Sequence, residues 1–154
     1  MVATEWILGI NEADLVDVHA IRQQVFCEEQ KISQAIERDG FDASAIHLLV
    51  SVDDKPAATG RLLVNADEYV IGRVAVLQKY RGKGLGDLAV RLLIRCAYNM
   101  GGETQTVHSQ LQVREFYEKL GFSAQGEVYQ EAGIAHITML RHGDIFGSCE
   151  ASSG

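Results

Sequence analysis

The spacing of apolar positions changes several times along the chain, and each change marks an element. Thr4–Gly9 reads as a strand. Leu15, Val18, Ala20, Ile21, Val25 and Phe26 recur at helical spacing. They predict a helix from Asn11, a capping residue with Asp14 three positions on, through about Glu28. Gln30–Ala43 is polar and reads as loop or a short helix. Ile46–Val52 and Ala58–Val64 predict a hairpin about the turn Asp53-Asp54-Lys55-Pro56. Tyr69–Leu77 reads as a further strand and Gln78–Gly84 as a loop. Leu85–Met100 predicts a helix packed through Leu88, Leu92, Ile94 and Cys96 and ended by Gly101-Gly102. Thr104–His108 predicts a strand and Gln110–Leu120 a helix stopped by Gly121. Phe122–Tyr129 and Ile134–Leu140 predict a closing hairpin. The order β-α-β-β-β-α-β-α-β-β is no regular βαβ series, so a mixed α/β sheet is expected.

Composition narrows the classes. The chain has 154 residues, enough for one domain with a real core. Residues 1–146 are expected to form it, with the small polar stretch 147–154 as a flexible tail. A net charge of −7 argues against nucleic acid or an anionic membrane as the main partner. The first residues carry no cationic leader, and the best apolar run, Ala89–Tyr98, is broken by Arg91 and Arg95. Cys27, Cys96 and Cys149 form no C-x-x-C pair and read as reduced thiols of a cytoplasmic protein. The five histidines and three cysteines show no metal-ligand spacing, so no metal is expected.

The charge is unevenly spread. Residues 1–70 carry a net −8, residues 71–95 a net +5, and residues 96–154 a net −4. The basic island contains Arg81-Gly82-Lys83-Gly84-Leu85-Gly86, placed between a strand and a helix. Glycines there let backbone N–H groups converge, and a helix N-terminus with two cations beside it suits a pyrophosphate. The pattern G-x-x-x-x-G-K-[ST] fails, because Gly84 follows Gly82-Lys83. Gly84, Gly86 and Ala89 formally match G-x-G-x-x-[G/A]. A long loop separates them from the strand, however, and no acidic residue ends the next strand near His108.

A third pattern, [Q/R]-x-x-G-x-[G/A], is met by Arg81, Gly84 and Gly86. Arg73-Val74-Ala75-Val76 lies upstream and Phe116-Tyr117-Glu118-Lys119-Leu120-Gly121-Phe122 downstream. Together these resemble the GNAT superfamily of acyl-CoA-dependent N-acyltransferases, over about residues 3–141. Val25-Phe26-Cys27-Glu28-Glu29-Gln30 and Gly133-Ile134-Ala135-His136 resemble its small bacterial ElaA-like branch. The resemblance implies six to seven mostly antiparallel strands, a central splayed parallel pair and about four flanking helices.

It also implies roles. Val74, Ala75 and Val76 would offer backbone groups to the pantetheine arm, with the Val76 N–H on the thioester carbonyl. One such donor contributes roughly 2.7–4 kcal/mol to a transition state. Arg81, Gly82, Lys83, Gly84, Leu85 and Gly86 would hold the pyrophosphate. Tyr117 would give a proton to the departing thiolate. Gln110 stands where many relatives have a cofactor-contacting Asn, and Ser109 is the adjacent alternative. Arg73 opens the strand on which many relatives carry a Glu, so the group that deprotonates the amine stays open among Glu28, Glu29 and His136. Those three, with Arg73, are the candidate acceptor-binding residues, whereas His47 and His108 read as structural.

The expected activity is transfer of an acetyl group from acetyl-CoA to a primary amine by direct attack, with no acyl-enzyme. The acceptor would be a small amine, an amino sugar or a peptide amine, and a homodimer is left open. The alternatives are a non-catalytic acyl-CoA sensor and a dinucleotide-binding protein.

Overall fold

Seven strands form one sheet in the computed structural model, which describes residues 1–145. They are β1 (Val2–Leu8), β2 (Ile46–Val52), β3 (Lys55–Asn65), β4 (Glu68–Val76), β5 (Thr104–Gln110), β6 (Ser123–Glu131) and β7 (Ile134–His142). Their spatial order is β1-β2-β3-β4-β5-β7-β6, and every neighbouring pair is antiparallel except β4 with β5. Four helices accompany them: α1 (Val16–Arg22), α2 (Gln34–Glu37), α3 (Leu85–Asn99) and α4 (Arg114–Glu118). A parallel pair needs a crossover, and α3 supplies it between β4 and β5. The expected tail and Cys149 lie outside the described residues.

Strand alternation divides the sheet into two faces. On one, Leu48, Leu62, Ile71, Val107 and Met139 pack with Ala89, Leu93 and Ala97 of α3. On the other, Ile7, Leu49 and Ala75 pack with Leu15, Val18, Ile21 and Val25. The α3 stripe differs from expectation. Ile94 is fully buried, but Leu88, Leu92 and Cys96 lie on the half-buried flank, and Leu85, Ala89, Val90, Leu93 and Ala97 form the seam. Small residues in the seam bring helix and sheet close. A Cβ added to Gly60 on β3 would stand 2.6 Å from Leu93 Cδ1.

Three boundaries differ for local reasons. The first amphipathic stretch is not one α-helix. It runs as a 3₁₀ turn over Glu12–Leu15, then α1, then a π-helix over Gln23–Glu29. Asn11 provides no side-chain cap; its carbonyl accepts from the Asp14 N–H instead. The β2–β3 turn is only Asp53-Asp54, both at positive φ (49° and 67°), so Pro56 sits inside β3. Positive φ at both central residues is what a tight two-residue hairpin requires. The expected helix from Gln110 is short, because Gln110 is extended and ends β5, and Leu111–Val113 is a 3₁₀ turn before α4.

No described helix is long and apolar enough to cross a membrane. Cys27 and Cys96 are unpaired, and burial raises the pKa of both thiols.

Candidate functional site

The parallel pair joins over a very short length. β4 and β5 pair at Val70↔Thr106 and Ile71↔Val107, and beyond that point they part. Their C-terminal ends, Gly72–Val76 and His108–Gln110, are therefore the two lips of a splay. The divergence begins at a bulge in β4. Its pairing with β3 steps from Arg61↔Gly72 to Thr59↔Ala75, so β4 carries one residue more than its partner. Arg73 sits in that bulge with φ 51°. A bulge bends its strand and increases the twist, and a left-handed arginine costs about 1–2 kcal/mol.

Backbone groups on the β4 lip point into the gap. The Leu77 N–H donates to Ala57 O at 2.9 Å, towards β3. By alternation the N–H and C=O of Val76 point the other way. The Val76 carbonyl is met there by Arg81 Nε at 3.0 Å. Ala75 is buried against α1, while Val74 and Val76 pack on the α3 face.

After β4 the chain turns through a 3₁₀ segment, Gln78–Tyr80, and then the glycines. Gly84 is the residue before α3 and has φ 79°. A Cβ added at Gly82 or Gly84 would meet nothing within 4 Å. Their backbone thus faces open space at the N-terminus of a 15-residue helix. The cleft there is about 200 Å³, lined by Val76, Tyr80, Arg81, Leu85, Gly86 and Phe116 among others. Lys79 and Lys83 stand over the Tyr80 ring, 5.0 and 5.9 Å from its centroid. Converging amides, a helix dipole and two ammonium groups fit an anion such as a pyrophosphate.

The end of the π-helix closes on both lips. Glu29 Oε1 accepts from Arg81 Nη2 at 2.8 Å, on the β4 side. Gln30 Oε1 accepts from Gln110 Nε2 at 2.7 Å, on the β5 side. Glu28 is exposed. Ser109 and Gln110 point to opposite faces. Ser109 is buried on the α3 side with its hydroxyl on Gln110 O at 2.8 Å.

Gln110 pairs with His136 on β7, and His136 in turn with Tyr129 on β6. The His136 and Tyr129 rings stack with centroids 5.9 Å apart, and His108 meets Tyr129 edge-on at 6.5 Å. His136 is buried, and its Nδ1 lies 2.7 Å from Ile134 O. A carbonyl only accepts, so Nδ1 carries the proton. His108 is exposed on this face rather than packed in the core, whereas His47 is a core residue with Nε2 3.0 Å from Asp42 O.

Tyr117 lies inside the α3-side core, edge-on to Phe116 at 5.0 Å and to Phe122 at 5.7 Å. Burial pushes its phenol up to about 12, so it keeps its proton at neutral pH. Its hydroxyl has no hydrogen-bond partner among the described residues.

Arg73 does not open into the splay. Its guanidinium donates to Glu37 Oε2 at 3.1 Å, Glu37 O at 3.0 Å and Asp39 Oδ2 at 3.1 Å. It belongs to a buried charge cluster in which Arg22 reaches Glu37 (2.7 Å) and Asp42 (2.8 Å), and Arg61 reaches Asp39 and Asp42. The cluster ties α1, α2 and the following turn to the bulge. Sequence reading did not find it, nor Phe116 and Tyr80 in the cleft. Its only signals were single arginines inside apolar stripes, Arg22 between Ile21 and Val25 and Arg61 between Ala58 and Val64.

Comparison with known proteins agrees with this geometry. Residues 12–141 match the model of an acetyltransferase (GNAT) domain. YyaT of Bacillus subtilis is 35% identical over 133 residues, covering 84% of this chain and 90% of that protein. ElaA of Escherichia coli is 33% identical over 126 residues, covering 79% and 82%. The crystal structure of an acyl-CoA N-acyltransferase from Pseudomonas aeruginosa superposes with a TM-score of 0.82 at 29% identity, covering 92% of this chain and 99% of that one.

Proposed function

This chain belongs to the GNAT acetyltransferase family, and we propose that it moves an acetyl group from acetyl-CoA to a primary amine by direct attack. The splay carries the reading: two strand ends part beside a glycine turn, with the Val76 N–H and C=O aimed into the gap. Val74, Ala75 and Val76 hold the pantetheine arm through their main chain, and the Val76 N–H receives the thioester oxygen as it gains charge. The amides of Gly82, Gly84, Leu85 and Gly86, with Arg81 and Lys83, hold the pyrophosphate. Ser109 and Gln110 form the opposite lip.

Tyr117 supplies the proton for the leaving thiolate. A free thiol has a pKa near 8.5, so the sulfur takes a hydrogen bond as the C–S bond breaks. The raised phenol is present in the form that donates. The amine approaches from the α1 side, where Glu28, Glu29, Gln110 and His136 lie around the mouth of the splay.

Thermal denaturation with acetyl-CoA and thiol release with an amine panel test this together. Acetyl-CoA at about 100 times its dissociation constant adds ~2.7 kcal/mol to stability. Tyr117→Phe keeps that shift and lowers turnover by roughly 10²-fold or more. No shift with any acyl-CoA refutes cofactor binding, and a Tyr117→Phe variant at full turnover refutes the role of the phenol.

A further inference from the structure

The proposed transfer needs a group to take the proton of the acceptor ammonium, whose ordinary pKa is about 10.4. We infer that His136 Nε2 is that group, on the open sheet face shared by His108, Gln110, Tyr129 and His136. The assignment rests on the acetyl-transfer reading above.

Three observations carry it. The first is the tautomer. Ile134 O, 2.7 Å from Nδ1, holds the proton on that nitrogen and leaves the lone pair of the neutral ring on Nε2. Among the described residues Nε2 makes no hydrogen bond, and it is not sealed from solvent. The second is position. His136 is the cross-strand partner of Gln110, the last residue of the β5 lip, and cross-strand pairs share a face. Gln110 reaches Gln30 at the end of the π-helix, so the face is the α1 side. The proposed thioester position, at Val76, is across the same gap. The third is the surroundings of the ring. Tyr129 covers one side of it and fixes its plane, while the Glu131 carboxylate lies 3.7 Å from Nε2. The other histidines of this face are held by threonines: His108 Nδ1 lies 3.1 Å from Thr138 Oγ1, and His142 Nδ1 2.9 Å from Thr104 Oγ1.

The carboxylates are less suited. Glu29 is already ion-paired with Arg81, its Oε1 accepting from Nη2 at 2.8 Å. Glu28 lies exposed beside it.

The protons balance. The ammonium gives one to Nε2, and the freed lone pair forms the C–N bond. The C–S pair leaves on sulfur, which takes the Tyr117 proton. The second N–H proton of the tetrahedral intermediate replaces the one Tyr117 gave. The imidazolium returns its proton to solvent, leaving an amide and a thiol.

His136→Asn keeps an N–H for Ile134 O and removes Nε2. Thiol release is followed with acetyl-CoA and ethanolamine, glucosamine or a lysine-bearing peptide, across pH 6–10. The variant is expected to lose roughly 10²-fold in kcat/KM at pH 7. The deficit shrinks as the pH nears that of the free amine, and the thermal shift with acetyl-CoA is unchanged. Nitrogen NMR is expected to show neutral His136 as the Nδ1–H tautomer. A wild-type pH profile in His136→Asn, or an Nε2–H tautomer, overturns the assignment. A wild type that binds acetyl-CoA but releases no thiol with any of these amines overturns the acetyl-transfer reading, and this assignment with it.

Discussion

Glu37→Gln tests whether the buried charge cluster holds the bulge at the splay. The Glu37 side chain is 2% exposed, and its Oε2 accepts from Arg22 Nε at 2.7 Å and Arg73 Nε at 3.1 Å. Glutamine keeps the shape and one carbonyl acceptor but removes the charge. A hydrogen bond to a charged group contributes about 1.5–3 kcal/mol, and removing one partner of a buried pair costs about 3–5 kcal/mol. Two features pull the figure to the low end. Arg22 retains Asp42 at 2.8 Å, and the Glu37 carbonyl still accepts from Arg73 Nη2 at 3.0 Å. We expect a loss of about 3 kcal/mol, or roughly 6–12 °C in Tm for a chain of this size. Urea titration at pH 7 measures it, with an unchanged m-value as the sign that both end states are intact. Affinity for acetyl-CoA should fall as well, because Arg73 sits in the bulge that opens the gap. A destabilisation below about 1 kcal/mol would refute the reasoning, since the pair would then be no better than one at the surface.

Two further substitutions probe other parts of the site. Gly84→Ala meets no steric obstacle, but φ 79° is left-handed. It should cost about 1–2 kcal/mol in urea titration and weaken acetyl-CoA binding in calorimetry; unchanged affinity would remove the glycine turn from the binding site. Asp42→Asn addresses pH. Its guanidinium partners, Arg22 first, hold the Asp42 carboxyl well below the usual carboxylate range, against the opposing effect of burial. A depressed folded-state pKa gives stability that is full above the unfolded value, near 3.9, and is lost as pH falls below it. The wild type should therefore lose stability steeply under about pH 4, and Asp42→Asn should be less stable at pH 7 with a shallower acid slope; parallel acid transitions would show that Asp42 is not linked to folding.

What the sequence discloses here is local, and what it hides is assembled from distant positions. The glycine turn, the helix it opens and the Phe116–Phe122 segment are contiguous, so their pattern is visible in one pass. The two-residue Asp53-Asp54 turn was hidden because aspartate enters the left-handed region without the glycine that usually announces it. The π-helix was hidden because Leu15–Phe26 satisfies a helical period until the backbone widens by one residue per turn. Its C-terminal end is fixed by partners far along the chain, Arg81 and Gln110. His108 illustrates the same limit. Alternation puts it on the α1-side face, but no described helix covers that face beyond β4, because α1 packs against the other half of the sheet.

The charge pattern also changes meaning once the partners are known. Taken by itself, a net −8 over residues 1–70 is a field that would attract an amine. In the fold, Glu37, Asp39 and Asp42 are taken up by Arg22, Arg61 and Arg73, and Glu29 by Arg81. Two of those arginines come from the basic island itself. Arg91 meets Asp87 and Arg95 meets Asp144, so within the island the cations without a carboxylate in salt-bridge reach among the described residues are Lys79 and Lys83. The island therefore spends most of its charge on the frame and presents two ammonium groups at the glycine turn. In the proposed reading, anion recognition there rests chiefly on backbone amides, whose direction the Gly82 and Gly84 conformations set. For the proposed acceptor, the carboxylates nearest the bulge offer little charge, since arginines already pair with them. In the proposed transfer, acceptor recognition falls to the polar and aromatic groups of the open face, where Gln110, Tyr129 and His136 meet.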